Sequence, residues 1–263
     1  MKVFSQEEYY RKIKELNIKH YSGEIPYYST AELREVEKFL LEEIKKGSTL
    51  LDVGCGSGRF SIGAAKLGFK VTGMDITSNA IKAARSRSKE LKIKNVIFEV
   101  DDITSRLSFK TNSFDSVFCP RFVINAISTL PRRQMAVKEM LRVVKSNGRV
   151  YIESFNRFYL GMGLYVLIRN LLTDLTRIVR IRLDEVFNKD YKNLLPGDMV
   201  YPSNKVKGAS EGYAHIPTIF ELINLVPAGI KFRIVSIPEI VQKKTFDPLK
   251  FFRYSLWLIL EKI

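Results

Sequence analysis

The chain has 263 residues and a formal charge of +15, with only two cysteines and two histidines. That length suffices to bury one full α/β core, and so few thiols and imidazoles exclude a disulfide framework and a credible zinc set, so no metal is expected. Glu7, Glu8 and Arg11 interrupt any apolar run near the start, and no stretch reaches the roughly 18 apolar residues that span a bilayer, which predicts a cytoplasmic protein. The positive charge suits RNA or an acidic membrane surface. It equally fits the general composition of a thermophile's protein, because the lysines and arginines are spread along almost the whole chain.

In chain order, Gln6 to Ile18 carries apolar residues at helical spacing, and residues 20–28 read as an irregular link. Ser29 or Thr30 then caps a helix that delivers the chain to a first strand. That strand, Thr49-Leu-Leu-Asp-Val, runs into Gly54-Cys-Gly-Ser-Gly58 and a helix-like segment. Glycines there let the backbone take positive φ and let a ligand approach, and the free N–H groups at a helix start favour polar or anionic groups. The dinucleotide fingerprint fits in neither register, since Arg59 or Ser61 stands where its last glycine belongs. Asp52 is a carboxylate inside an apolar strand, a costly placement unless a ligand ammonium or another donor meets it. Asp75 ends the second strand about 20 residues after the first glycine, the spacing that presents an acid to ribose hydroxyls.

Ala80 to Leu91 reads as a helix and Asn95 to Val100 as the third strand, followed by Asp101-Asp102-Ile103. Phe114-Asp-Ser-Val-Phe-Cys119 is the fourth strand. Pro131 opens the next helix, and Arg149 to Ser154 is the fifth strand. Asp52-x-Gly-x-Gly-x-Gly, the Val71-x-Gly-x-Asp-Ile-Thr stretch, Asp101-Asp102-Ile103 and Phe114-Asp-x-Val resemble, in order, four motifs of the class I S-adenosylmethionine (SAM) dependent methyltransferases. The resemblance covers about residues 47–154.

It implies a Rossmann-like, seven-stranded, mostly parallel α/β sheet with helices on both faces and an inserted helical lid. It further implies SAM as cofactor, held by Asp52, Gly54, Cys55 and Gly56 at its methionine part and by Asp75 at the ribose. Ile76 lies near the adenine, Asp102 accepts from the adenine amino group with Asp101 the runner-up, Ile103 covers the ring, and Cys119 lies beside the methyl group. Tyr21, Tyr27 and Tyr28 become candidates for lid contacts. Cys119-Pro120 reverses the Pro-Cys order of cytosine-C5 RNA methyltransferases, which speaks against a catalytic thiol, and no catalytic residue is assigned. Asn147 replaces a glycine usual before the fifth strand but tolerates positive φ. The run from Ser128 through Arg132 and Arg133 to Glu139 resembles methyltransferases that finish wobble uridines in transfer RNA.

The chain divides into N-terminal helices (1–46), the SAM-binding core (47–155), a helical insertion (156–212) and a closing segment (213–263). Leu164 to Val186 reads as a basic amphipathic helix whose apolar face packs on the core, forms a lid over the substrate pocket or lies on an acidic membrane. Residues 194–202 read as a loop, and His215 is the histidine best placed to act as a base, beside a structural reading. Phe232 to Ile237 is the sixth strand, and Pro248 to Ile263 reads as an apolar terminal helix that covers the sheet edge, touches lipid or joins a second copy in a homodimer. The expected activity is methyl transfer to a small molecule or lipid. Transfer to tRNA and a non-catalytic SAM-binding partner subunit are the alternatives.

Overall fold

The computed structural model describes residues 6–21, 32–159, 195–202, 211–243 and 245–263. The expected lid helix, Tyr27, Tyr28 and the caps Ser29 and Thr30 lie outside them.

The helices are α1 (Gln6–Tyr21), α2 (Glu35–Glu42), α3 (Arg59–Lys66), α4 (Ser78–Glu90), α5 (Leu130–Val143), α6 (Ile219–Ile223) and α7 (Ile237–Val241). The strands are β1 (Thr49–Val53), β2 (Lys70–Asp75), β3 (Val96–Val100), β4 (Phe114–Cys119), β5 (Val144–Phe155), β6 (Asp198–Pro202), β7 (Glu211–His215), β8 (Lys231–Ser236) and β9 (Ser255–Glu261). Seven strands form one sheet in the order β3-β2-β1-β4-β5-β9-β8, in which β9 alone runs opposite to the other six. The chain moves outward from β1 through β2 to β3, then returns to place β4 on the other side of β1. A topological switch point therefore lies between β1 and β4, where α/β sheets bind ligands at their carboxyl ends.

Alternation along the strands divides the core between two layers. Leu51 and Val53 face α5 and α6, meeting Val137, Met140 and Leu222. Leu50 faces the other way, toward Leu40, Phe60 and Ile81 of α2, α3 and α4. Asp52 shares the parity of Leu50, which is why its carboxylate meets α3 rather than α5. Asn147 takes φ 61° inside the bulged start of β5, as its residue type allows.

Two expectations are corrected. The apolar tail is not a terminal helix: Ser255–Glu261 is the seventh strand, hydrogen-bonded between β5 and β8 with Leu256, Trp257, Leu258 and Leu260 fully buried. A strand covered on both faces reads as a continuous apolar run, and periodicity cannot separate it from a buried helix. The helix on which a homodimer contact rested is thus a strand inside the sheet. Residues 198–202 are likewise no loop but β6, paired with β7 from Asp198↔His215 to Pro202↔Glu211. Pro202 and Gly197 disguise that strand, because turn residues bound it so closely.

Candidate active site

A cavity of about 220 Å³ opens over the carboxyl ends of β1, β2 and β4, at the switch point. Asp52, Gly54, Cys55, Gly56, Asp75, Ile76, Asp102 and Ile103 all line it, and α1 contributes Tyr10, Lys14 and Asn17. Cys119 stands apart, packed in the core one residue before the lining begins at Pro120.

The glycine turn is shaped by what surrounds it. Gly54 takes φ 70°, and a Cβ there would come within 2.4 Å of Val123. Gly56 takes φ 54° with nothing within 4 Å of a Cβ position, which leaves open space above its backbone. Gly56 N–H donates to Asp75 Oδ2 at 2.9 Å and Thr77 N–H to Oδ1 at 2.8 Å, so Asp75 ties β2 to the turn. With the Thr77 hydroxyl also bonded to it, the carboxylate still keeps lone-pair capacity for a ligand hydroxyl.

Asp52 is fully buried. Ser61 donates to its Oδ2 at 2.5 Å, while Oδ1 has no partner. Burial pushes its pKa up to about 7, against the Ser61 hydrogen bond and the nearby Arg59 charge. Burial also raises Asp75, against the N–H groups of Thr77 and Gly56. Asp102 goes the other way. Burial raises it, but Lys14 Nζ at 2.6 Å and the Thr104 hydroxyl and N–H outweigh that and hold it below the ordinary range. The runner-up Asp101 is engaged in its loop, accepting from Asp102 N–H, Ser108 N–H and Ser108 Oγ. Burial raises both thiols, Cys55 and Cys119, which disfavours a thiolate at either position.

Several functional neighbours were not read from the sequence. α1 is fastened across the cavity by Lys14–Asp102, by the Tyr10–Thr104 hydroxyl contact, and by Asn17 Nδ2 donating to Ala126 O at 2.7 Å. Beneath the cavity runs a buried ionic chain. Arg59 pairs with Glu37 at 2.6 Å, Glu37 accepts from Arg34 Nε at 2.9 Å, and Arg34 grips Glu153 with two bonds of 2.8 and 2.5 Å. Glu153 also accepts from Arg121 N–H at 2.7 Å. The α1 contacts and the Arg34–Glu153 pair link positions 88 to 119 residues apart, so no local pattern announces them.

Other singled-out residues have structural roles. His215 is buried between Asp198, 2.8 Å from Nδ1, and Glu221, and does not line the cavity. Tyr213 donates to the same Asp198 oxygen at 2.6 Å, pinning the β6–β7 hairpin. Asn125, which the sequence reading above did not single out, is buried and donates to His215 O at 2.7 Å. Arg132 pairs with Glu7 and covers the Tyr10 ring, and Arg133 is buried with its guanidinium on Ile127 O. The Ser128–Glu139 run therefore spends both arginines within the fold. Among the described residues there is no cluster able to hold a metal ion, and no helix is long and apolar enough to cross a membrane.

A family model described as "Methyltransferase domain" matches residues 44–195, more than half of the chain. The chain belongs to this methyltransferase-domain family. The motif likeness and the seven-stranded sheet agree with that membership. This methyltransferase-domain protein is similar to the ubiquinone biosynthesis O-methyltransferase of Xanthomonas oryzae, at 30% identity over 42% of the chain and 44% of that relative. The 2-methyl-6-phytyl-1,4-hydroquinone methyltransferase of a Synechocystis species is 38% identical over 44% of the chain and 35% of its own length. The chain thus spans less than half the length of these curated relatives. Among solved structures, a SAM-dependent methyltransferase from Methanosarcina mazei superposes with a TM-score of 0.62 at 23% identity, covering 88% of this chain and 99% of that one. One from Aquifex aeolicus covers 99% and 100% with a TM-score of 0.53 at 17% identity. At such identities these likenesses establish the fold.

Proposed function

We propose that this protein is a SAM-dependent methyltransferase acting on a small-molecule or lipid acceptor. The observation that carries the reading is the fully buried Asp52, whose Oδ1 is unpartnered at a cavity wall where a ligand ammonium supplies the missing donor. The residues present fit such a cofactor. Gly54 and Gly56 leave its methionine part room, Asp75 accepts from ribose hydroxyls, and Asp102 accepts from the adenine amino group beside Ile76 and Ile103. When bound, SAM supplies an electrophilic methyl group on a sulfonium.

The contribution of the chain is then positional. Fixed carboxylates and backbone would hold the donor, α1 would screen it from water, and catalysis would rest on holding the acceptor close to the methyl group. No side chain is required as acid or base when the acceptor atom is already nucleophilic, and no cavity residue here is assigned that task. The names of the quinone-directed relatives support a small, ring-bearing acceptor. The two arginines singled out for RNA are engaged within the fold, which disfavours the tRNA alternative.

The test is transfer of labelled methyl from SAM into an extract of the source organism, fractionated into RNA, lipid, protein and small molecules. Label in the lipid or small-molecule fraction is expected. Label confined to RNA would overturn the acceptor class, and absence of label with intact binding of S-adenosylhomocysteine (SAH) would overturn the transferase reading.

A further inference from the structure

We propose that the acceptor is an anionic molecule with a flat ring, its negative group on the Arg121 guanidinium and its ring against Phe122. This rests on the cofactor reading above and concerns the part of the cavity that reading leaves unused. The acids Asp52, Asp75 and Asp102 sit at or just beyond the ends of β1, β2 and β3. Arg121 and Phe122 follow β4, on the other side of the switch point.

Among the described residues three cations line the cavity, and two are already engaged. Lys14 pairs with Asp102 at 2.6 Å and Arg59 with Glu37 at 2.6 Å. The Arg121 side chain is exposed and has no ion-pair or hydrogen-bond partner among the described residues. The same cavity is lined by Asp52, Asp75, Asp101 and Asp102. Lys14 is neutralised by Asp102 and Arg59 by Glu37, so among the described residues the cavity offers an anionic acceptor an uncompensated positive charge only beside β4.

The backbone here is held in an unusual shape. Arg121 takes φ 56° and Phe122 φ 65°, left-handed values that are outliers for bulky residues and that persist where surrounding contacts impose them. Those contacts are present. Arg121 N–H donates to Glu153, itself gripped by Arg34, and Phe122 O accepts from Asn125 N–H at 2.9 Å. The Phe122 ring stacks on Phe155 at 3.7 Å, and Tyr254 meets both edge-on at 5.7 and 5.3 Å. The Arg121 charge reaches this aromatic group: burial raises the Tyr254 phenol and Arg121 opposes it. A cation beside a rigid aromatic wall suits a flat anion, because the ring contributes stacking and the charge contributes orientation.

The experiment is titration calorimetry of the SAH-loaded protein with 2-naphthoate and with its neutral counterpart 2-naphthamide. The wild type is compared with R121Q and with R121G, which relieves the left-handed φ while removing the guanidinium. Naphthoate is expected to bind at least tenfold tighter than naphthamide. Both variants are expected to lose that preference and to keep SAH affinity within twofold. Equal affinities in the wild type, or an undiminished preference in both variants, would overturn the proposal. Loss of SAH affinity in R121G would also overturn it, by giving Arg121 to the carboxylate of the cofactor. A wild type that fails to bind SAH would instead break the underlying cofactor reading, and the proposal with it.

Discussion

Replacing Asp52 by asparagine separates what this carboxylate does for the ligand from what it costs the fold. Its pKa rises from 3.8 to about 7 through burial. Roughly 3 units at 1.36 kcal/mol each amount to ~4 kcal/mol of penalty on the ligand-free protein once the group is ionised. The sign follows from proton counts: between pH 3.8 and about 7 the native state holds a proton that the unfolded chain has released, so stability falls across that window as pH rises. Asparagine keeps an acceptor for Ser61 and removes the charge. Recovering about half of the penalty, ~2 kcal/mol, raises Tm by about 4–8 °C in a chain of this size at pH 8, while at pH 4 the two proteins converge. The same variant should bind SAH at least tenfold more weakly, about 1.4 kcal/mol, for lack of a counter-charge to the ammonium. Wild-type affinity should in turn fall by up to tenfold per unit as pH drops below about 7. Calorimetric melts and SAH titrations across pH 4 to 8 measure both effects. An Asp52→Asn protein that melts lower at pH 8, or binds SAH unchanged, would refute the reasoning.

Arg34→Met leaves Glu153 buried with only the Arg121 N–H as partner. It should cost about 3–5 kcal/mol in urea unfolding, with much of that restored by adding Glu153→Gln. Gly54→Ala should abolish measurable SAH binding, because its methyl meets Val123, and Val123→Ala should restore part of it. Gly56→Ala carries only the left-handed backbone cost of about 1–2 kcal/mol in unfolding experiments. Trp257→Ala should lower stability by about 3–5 kcal/mol and Trp257→Phe by clearly less, since the indole fills the layer between β9 and the helices on that face.

What could be read from the sequence was local. Asp52 and its three glycines lie within a seven-residue stretch, and Asp75 and Asp102 each end or follow a short apolar strand, so chain order alone brought them to one sheet end. Six strands of the sheet were legible as short apolar runs, whereas the seventh strand and the switch point were expected only from the family resemblance. What escaped depends on distant pairing. Lys14 meets Asp102 across 88 positions, and Arg34 meets Glu153 across 119. β9 escaped for a different reason: a strand buried on both faces has no polar face to alternate with, so Leu256 to Leu260 carried no period. Ser61, the partner of Asp52, was hidden because a serine in an apolar helix announces nothing until its neighbour across the sheet is known.

The most direct measurement is SAH titration of Asp75→Ala beside the wild type, with circular dichroism to show that both are folded. Asp75 is the one acid of the site whose expected ligand contact, the ribose, lies midway between the Asp52 and Asp102 ends of the cavity. The account predicts sub-millimolar SAH binding by the wild type and a loss of at least tenfold in the variant. Unchanged SAH binding by a folded Asp75→Ala protein would contradict it.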